Sequence, residues 1–157
     1  MVVVTFNRAE LLERMLVGLA ALERRPDAVL VVDNASTDDT PRVLAEATNP
    51  GLHVLRPAEN LGGAGGFHLG VRTAHERGFD RIWLMDDDVV PAPDCLTVLM
   101  AQDEACLMAV REDTTGALVE KAAVKGAEGA VYAKADYDKQ YKTNLDTQAV
   151  IDSVVKF

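Results

Sequence analysis

Three consecutive carboxylates, Asp86, Asp87 and Asp88, directly follow the apolar run RIWLM at residues 81–85. Such close carboxylates repel one another in a poorly solvated crevice unless a cation lies among them. Mn²⁺ or Mg²⁺ would supply that charge through hard oxygen ligands and would keep coordination positions open for substrate phosphates. The alternative is a solvated acidic turn or an N-terminal cap for the next helix. The triplet predicts a divalent-metal site.

Five glycines lie between Gly62 and Gly70, in a predicted loop that opens a helix. Backbone N–H groups without side chains can approach an anion closely, and a helix N-terminus adds positive potential. We therefore expect a diphosphate beside Gly62, Gly63 and Gly65, the alternative being a flexible turn with close helix packing. His68 stands where the dinucleotide-binding fingerprint needs its third glycine, which disfavours an NAD-binding domain.

Polar residues also follow the first two predicted strands. Asp33 closes an apolar run, where its carboxylate could accept hydrogen bonds from a ribose hydroxyl or a base imide, or could form an Asx turn with Ser36 and Thr37. Phe6 is either a ligand contact or a core residue, and Arg8 either a ligand contact or a solvated residue of a helix's first turn. The three histidines lack metal-ligand spacing and are predicted to be structural or exposed.

The elements that position these residues alternate between strands and helices. Apolar runs at 2–6, 28–32, 52–55 and 81–85 predict four buried strands, with helices between them. This order implies right-handed crossovers and an α/β, Rossmann-like fold with a mostly parallel sheet covered by helices on both faces. Ligands of such sheets bind beyond the carboxyl ends of the strands. Four polar segments are predicted to converge there: Thr5 to Arg8, Asp33 and Asn34, Asn60 to Gly66, and Asp86 to Asp88.

The helix signals are local. Asn7 and Glu10 have the spacing of a capping box for the first helix, and Thr40 with Pro41 opens the second. Asp94 is predicted to cap a later helix. The first helix buries one face, formed by Leu11, Leu12, Met15, Leu16, Leu19 and Leu22. A further strand at 107–110 and a terminal helix at 146–157 complete the prediction.

Composition limits the function classes. The 157 residues, 48% of them hydrophobic, suffice for one compact domain, and the net charge of −9 opposes nucleic-acid binding. The two cysteines lie outside any CxxC spacing, which predicts a reducing cytoplasm. No apolar run reaches about 18 residues, which predicts no transmembrane segment and at most peripheral membrane association.

Basic residues are only Arg up to Arg111 and only Lys from Lys121 onward. We interpret this shift as a boundary. Residues 1–112 are predicted to be the ligand-binding part, and 113–157 an uncertain continuation that is truncated or discontinuous.

The strings VVVTFNRA, VVDNASTD, NLGGAGGF and WLMDDDV, in this order, resemble family 2 glycosyltransferases of the GT-A fold. The resemblance covers residues 2 to 100 and is strongest to bacterial cell-wall galactofuranosyltransferases, with rhamnosyltransferases as neighbours. It implies inverting transfer of a sugar from a nucleoside diphosphate, UDP-galactofuranose or dTDP-rhamnose, to a hydroxyl of a glycan or glycolipid.

The resemblance also implies residue roles. Phe6, Arg8, Asp33 and Asn60 would contact the nucleotide, Asp86 would approach the ribose or the metal, Asp87 would help place the donor, and Asp88 would bind the metal that bridges the phosphates. The family's catalytic base and histidine ligand lie far beyond the acidic triplet and cannot be matched in this chain.

Two rival interpretations remain. The missing base suggests a nucleotide-sugar-binding domain without activity. The pattern Asp86-x-Asp88-x-Val90 after a strand also satisfies the nucleophile motif of haloacid-dehalogenase-type phosphatases, in which Asp86 would be phosphorylated. The phosphatase is disfavoured because that motif normally ends the first strand of its domain.

Overall fold

The computed structural model describes residues 1–102 and residue 107. The described elements, in chain order, are β1 (Val2–Thr5), α1 (Ala9–Ala20), β2 (Val29–Asp33), α2 (Thr40–Glu46), β3 (Leu52–Leu55), α3 (Gly62–Glu76), β4 (Leu84–Asp86) and α4 (Cys95–Met100). The strands form one parallel sheet in the order β3-β2-β1-β4. This arrangement confirms the predicted parallel α/β fold. The predicted strand at 107–110 lies outside the described residues except for residue 107, and residues 113–157, with the terminal helix, lie outside them entirely.

Helices cover both faces of the sheet, as predicted. Alternate residues of a strand point to opposite faces, so Val3 and Val31 belong to one core cluster and Val2 and Leu30 to another. The first cluster includes side chains of α1 and α2, namely Leu12, Met15, Leu16, Leu19, Val43 and Leu44. The second includes Ala74 of α3. The apolar periodicity of α1 therefore identified its buried face correctly, although Leu11 is only half-buried.

The glycine-rich segment lies within α3, not in a loop before it, which corrects the prediction. A Cβ atom at Gly66 would lie 2.6 Å from Cγ1 of Val4, and one at Gly70 would overlap Val2. Hence these two glycines allow α3 to approach β1 closely. Their positions serve helix packing, the alternative that the sequence had left open.

The predicted capping box at the start of α1 is wrong. Arg8 is the N-cap residue, and no side-chain cap bond forms on α1 from it. Asn7 has a left-handed backbone (φ 52°), and its Oδ1 accepts hydrogen bonds from the backbone N–H groups of Thr37 at 2.7 Å and Asp38 at 3.3 Å. The N–H of Ala9 in α1 donates instead to Asp38 Oδ2 at 3.2 Å. A residue from the β2–α2 loop therefore caps α1.

Strand β4 begins three residues later than predicted and includes Asp86. Its register places Leu84 opposite Val2 and Asp86 opposite Val4. Because β1 itself begins at Val2, residues before Leu84 have little strand beside them, and the carbonyl of Trp83 accepts a hydrogen bond from the Val2 N–H at 2.8 Å. The acidic triplet thus starts inside the sheet.

Among the described residues, no helix combines the length and the apolar character that crossing a membrane requires.

Candidate functional site

The carboxyl ends of the parallel strands place the predicted site residues along one edge of the sheet. Thr5 at the end of β1 lies opposite Asp33 at the end of β2, and Asp86 on β4 lies on the other side of β1. Val32 pairs with Leu55, so Arg56, the next residue after β3, falls beside Asp33. The predicted convergence of strand ends is present for these segments.

Arg8 bridges two members of the acidic triplet. Its Nη1 donates hydrogen bonds to Asp87 Oδ1 at 3.1 Å and to Asp88 Oδ2 at 3.2 Å. The side chain of Asp87 is 5% exposed, whereas those of Asp88 and Arg8 are 45% and 50% exposed. The charge of Asp87, then its hydrogen bond and the weaker effect of Asp88, raise the pKa of Arg8. The cation between these two carboxylates is therefore a guanidinium, which the sequence had not indicated.

The triplet fits a metal ion only as a partial ligand set. Asp86 and Asp88 are exposed while Asp87 is buried, and the described residues contain no group of three His, Cys, Asp or Glu side chains arranged to hold an ion. This fits Mg²⁺ or Mn²⁺, which one or two carboxylates can hold when substrate phosphates complete the coordination. The Arg8 guanidinium already occupies a position at which Asp87 and Asp88 stabilise a positive charge. The metal roles of Asp86 and Asp88 stay predictions.

Asp33 is fully buried, and its carboxylate supports the turn after β2 through Ser36, which is close to the local role that was one of its two predictions but reaches three residues on instead of two. Its Oδ1 accepts a hydrogen bond from the Ser36 N–H at 2.9 Å. Its Oδ2 lies 3.1 Å from Arg56 Nη1, an ion pair without hydrogen-bond geometry. Arg56 Nη2 donates to the Ser36 carbonyl at 2.7 Å. Arg56 is thus a site residue that sequence reasoning missed, and its position directly after a predicted strand was the available signal.

Thr5 lies beside this pair and is 1% exposed. Its Oγ1 is buried without a hydrogen-bond partner among the described residues, like Asp33 Oδ2. Two oxygen atoms on neighbouring strand ends thus retain hydrogen-bonding capacity. The predicted contact of Thr5 and Asp33 with a nucleotide stays a prediction.

The segment that begins α3 is attached to the end of β2 through Asn34. The Asn34 Nδ2 donates to the Gly62 carbonyl at 3.0 Å, and its Oδ1 accepts from the Leu61 N–H at 2.9 Å. The Asn60 Oδ1 accepts from the Gly62 N–H at 2.8 Å, and Gly62 has a left-handed φ of 69°. Asn60 therefore supports the turn into α3, and its predicted contact with the nucleotide stays a prediction.

The remaining glycines differ in their surroundings. A Cβ atom at Gly63 would meet nothing within 4 Å, whereas one at Gly65 would lie 2.7 Å from Cβ of Leu61. Among the three glycines predicted to face a diphosphate, Gly63 has open space beside its backbone and Gly65 accommodates a neighbouring side chain. Gly62 has the same open space, but its N–H already donates to Asn60, so Gly63 is the position at which we expect a ligand to approach the start of α3.

Phe6 follows β1 and is 42% exposed, which excludes the alternative of a core residue, while its predicted contact with the nucleotide stays a prediction. Its aromatic face is available for a contact at this edge of the sheet. The three histidines are exposed, as the spacing argument predicted: His53, His68 and His75.

The family model for glycosyl transferase family 2 matches residues 1–144, which include the whole of this parallel sheet and its acidic edge. The chain therefore belongs to glycosyl transferase family 2. This membership decides against the phosphatase interpretation of Asp86.

Two curated relatives agree with the predicted resemblance. The chain is 43% identical over 91 residues to galactofuranosyltransferase GlfT1 of Mycolicibacterium smegmatis, covering 58% of this chain and 30% of the relative. It is 30% identical over 136 residues to the N-acetylglucosaminyl-diphospho-decaprenol L-rhamnosyltransferase of Mycobacterium tuberculosis, covering 85% of this chain and 43% of the relative. The chain thus spans less than half the length of these relatives.

Solved GT-A glycosyltransferases share the fold. TarS of S. aureus, residues 1–349, superimposes with a TM-score of 0.56 and 26% identity, covering 64% of this chain and 30% of TarS. The mannosyltransferase PcManGT from Pyrobaculum calidifontis, solved in complex with GDP-Man and Mn²⁺, gives a TM-score of 0.50 and 29% identity, covering 60% of this chain and 29% of that protein. The predicted GT-A fold is confirmed.

Proposed function

We propose that this chain carries the donor-binding part of an inverting, metal-dependent glycosyltransferase that uses a UDP-sugar or a related nucleoside diphosphate sugar. The observation that carries the proposal is the single edge of the sheet that brings together Asp33, Arg8 and the acidic triplet. Such a strand-end edge is where ligands of open parallel sheets bind. Family membership supports the reaction class.

Each part of this edge has a role suited to its chemistry. Asp33 and Phe6 recognise the nucleoside, through a carboxylate and an aromatic face. The backbone at Gly63 and the positive end of α3 hold the diphosphate. Asp86 and Asp88 hold Mn²⁺ or Mg²⁺, which when bound supplies Lewis-acid stabilisation of the departing diphosphate.

The sugar and acceptor are proposed from the relatives. Identity to GlfT1 favours galactofuranose, and the rhamnosyltransferase makes rhamnose the second candidate. The name of that second relative contains a decaprenol-linked acceptor. A glycan or glycolipid hydroxyl at the inner face of the membrane is therefore the acceptor that we propose.

A nucleotide-sugar-binding domain without activity is the second candidate. The observation that favours it is that, within the described part of the chain, Asp33 and Asp87 are buried and engaged with Arg56 and Arg8. Neither is available as the base that must take the acceptor's proton. Turnover of a UDP-sugar distinguishes the two candidates, because both of them bind the donor.

Calorimetric titration with UDP tests the donor site. We expect binding with Mn²⁺ or Mg²⁺ and little binding with a chelator, because the carboxylates otherwise face a diphosphate of the same sign. Asp88→Asn should remove most of the metal-dependent affinity. The matched control is Asp80→Asn, an exposed carboxylate that precedes β4 and so lies toward the opposite end of that strand. Equal UDP affinity with metal and with chelator would contradict the proposal.

A further inference from the structure

We propose that Arg8 is a counter-cation that keeps Asp88 from binding a metal ion until the donor's diphosphate arrives. In this arrangement Arg8 changes partner on donor binding, keeping Asp87 and exchanging Asp88 for a phosphate oxygen. Metal and donor then bind together, and neither binds well alone. This inference rests on the proposed donor site and concerns the order in which that site fills.

The two ion pairs of Arg8 differ in burial. The same Nη1 atom contacts both carboxylates, at 3.1 Å and 3.2 Å. Asp87 is 5% exposed, and separating a buried charge from its partner is costly. Asp88 is 45% exposed, and ion pairs open to solvent contribute little. The contact with Asp88 is therefore the exchangeable one, and Asp87 is the anchor.

The backbone at Arg8 is held while its side chain can move. Its neighbours Asn7 and Ala9 are both hydrogen-bonded to the β2–α2 loop, through Thr37, Asp38 and Ser36. The Arg8 side chain is 50% exposed. A fixed backbone with a long, half-exposed side chain suits a change of partner over a few ångströms without a loop movement.

Electrostatics makes the guanidinium and a divalent ion competitors. Both carry positive charge, and Arg8 Nη1 lies 3.2 Å from Oδ2 of Asp88, the residue that would hold the ion. An anion placed between the two cations removes the conflict. A diphosphate is such an anion, and guanidinium groups pair well with phosphate oxygens. Donor binding should therefore strengthen metal binding, and by linkage the reverse holds as well.

Mn²⁺ binding to the whole chain without nucleotide tests this inference. Electron paramagnetic resonance of free Mn²⁺ measures how tightly the wild type, Arg8→Met and Arg8→Gln each bind Mn²⁺. The glutamine variant is neutral but keeps a polar side chain at this position, so the two variants together separate loss of charge from loss of polarity. We expect both variants to bind Mn²⁺ alone about tenfold more tightly, since a unit charge a few ångströms from a divalent ion has at least this effect. Addition of UDP should then strengthen Mn²⁺ binding less than in the wild type.

Arg14→Met is the matched control, because Arg14 is an exposed residue of α1 and its loss changes the net charge equally. Thermal unfolding followed by circular dichroism confirms that each variant is folded. If the Arg8 variants bind Mn²⁺ alone no more tightly than Arg14→Met, Arg8 only holds the fold together and the inference is overturned. A wild type that binds neither UDP nor dTDP even with Mn²⁺ overturns the proposed function as well. If the wild type binds UDP but the Arg8 variants bind Mn²⁺ no more tightly than the wild type does, only the inference about Arg8 is overturned.

Discussion

Asp33 has one oxygen in a local turn and the other in a long-range ion pair. Its Oδ1 accepts from the Ser36 N–H, and its Oδ2 faces Arg56 Nη1 at 3.1 Å. Arg56 also donates to the Ser36 carbonyl. Arg56 thus holds both the carboxylate and its turn, so it is a positioning residue for the proposed nucleoside contact.

We expect Arg56→Met to destabilise the fold by about 1–3 kcal/mol, the scale for losing hydrogen-bonded contacts of a charged group. The reason is that a buried carboxylate would lose its cation, although Arg56 itself is 47% exposed. Urea unfolding measures the change. Arg42→Met is the control, since its pairs with Asp39 and Glu46 are exposed and should matter little. Equal stability of the two variants would show that the Asp33 pair is unimportant.

Gly63 and Gly66 allow the ligand role and the packing role of the glycines to be separated. Gly63→Ala should leave the fold intact, because its Cβ would meet nothing within 4 Å, and should weaken UDP–Mn²⁺ binding by about 1–3 kcal/mol if the diphosphate lies there. Gly66→Ala should instead destabilise the fold by about 1–3 kcal/mol through overpacking against Val4. Calorimetry and urea unfolding give the two quantities.

Unchanged UDP affinity in Gly63→Ala would show that the diphosphate does not bind at this end of α3. A substitution at Gly65 could not make this distinction, because its side chain would also displace Leu61.

At the scale of the elements, the β1–α1 and β2–α2 loops stabilise each other. Asn7 accepts hydrogen bonds from the second loop, while Asp38 accepts from the Ala9 N–H of α1 and from the Thr40 N–H of α2. Burial alone would raise the pKa of Asp38, but the hydrogen bonds from Thr40 and Ala9 outweigh it and the pKa is lowered. One carboxylate therefore supports the beginnings of two helices.

Asp38→Ala should cost about 1 kcal/mol at neutral pH, the usual value of a helix cap. Because the folded pKa of Asp38 lies below its ordinary value, its contribution is complete above about pH 4 and is lost as the pH falls through the folded pKa. The difference in unfolding free energy between wild type and variant should therefore shrink in acid. A constant difference from pH 7 downward would contradict the ionised cap.

For the whole molecule, residues Met1–Gln102 form a compact unit by themselves. This unit contains the core clusters on both sheet faces and every described residue of the proposed donor site. We expect a chain that ends at Gln102 to unfold cooperatively and to keep UDP–Mn²⁺ affinity within a factor of about three, well under the tenfold that 1.4 kcal/mol represents.

A chain that ends at residue 112, the predicted boundary, is the comparison. If only the longer chain unfolds cooperatively, the boundary belongs near 112. If neither chain unfolds cooperatively, the fold that forms the proposed donor site needs the residues beyond 112.

The sequence by itself determined the architecture and the sheet edge at which we propose the site. Apolar runs and helical periodicity depend on neighbouring residues, so the strands and the buried face of α1 followed from local pattern, and the alternation of strands with helices implied that the strands are parallel. The polar residues after each strand then indicated the edge that we propose to be functional, because parallel strands end together. The resemblance of four short strings also identified the family correctly.

Only the tertiary structure decided which side chains meet. Arg8 reaches Asp87 across 79 residues, and Asn7 reaches Thr37 across 30. Arg56 meets Asp33 because β3 pairs with β2 in one particular register. The spacing of Asn7 and Glu10 predicted that Asn7 caps α1, but its side chain instead accepts hydrogen bonds from the β2–α2 loop. Such partners depend on strand order and register, which no spacing along the chain specifies, so the cation within the acidic triplet could be recognised only after the fold had brought Arg8 there.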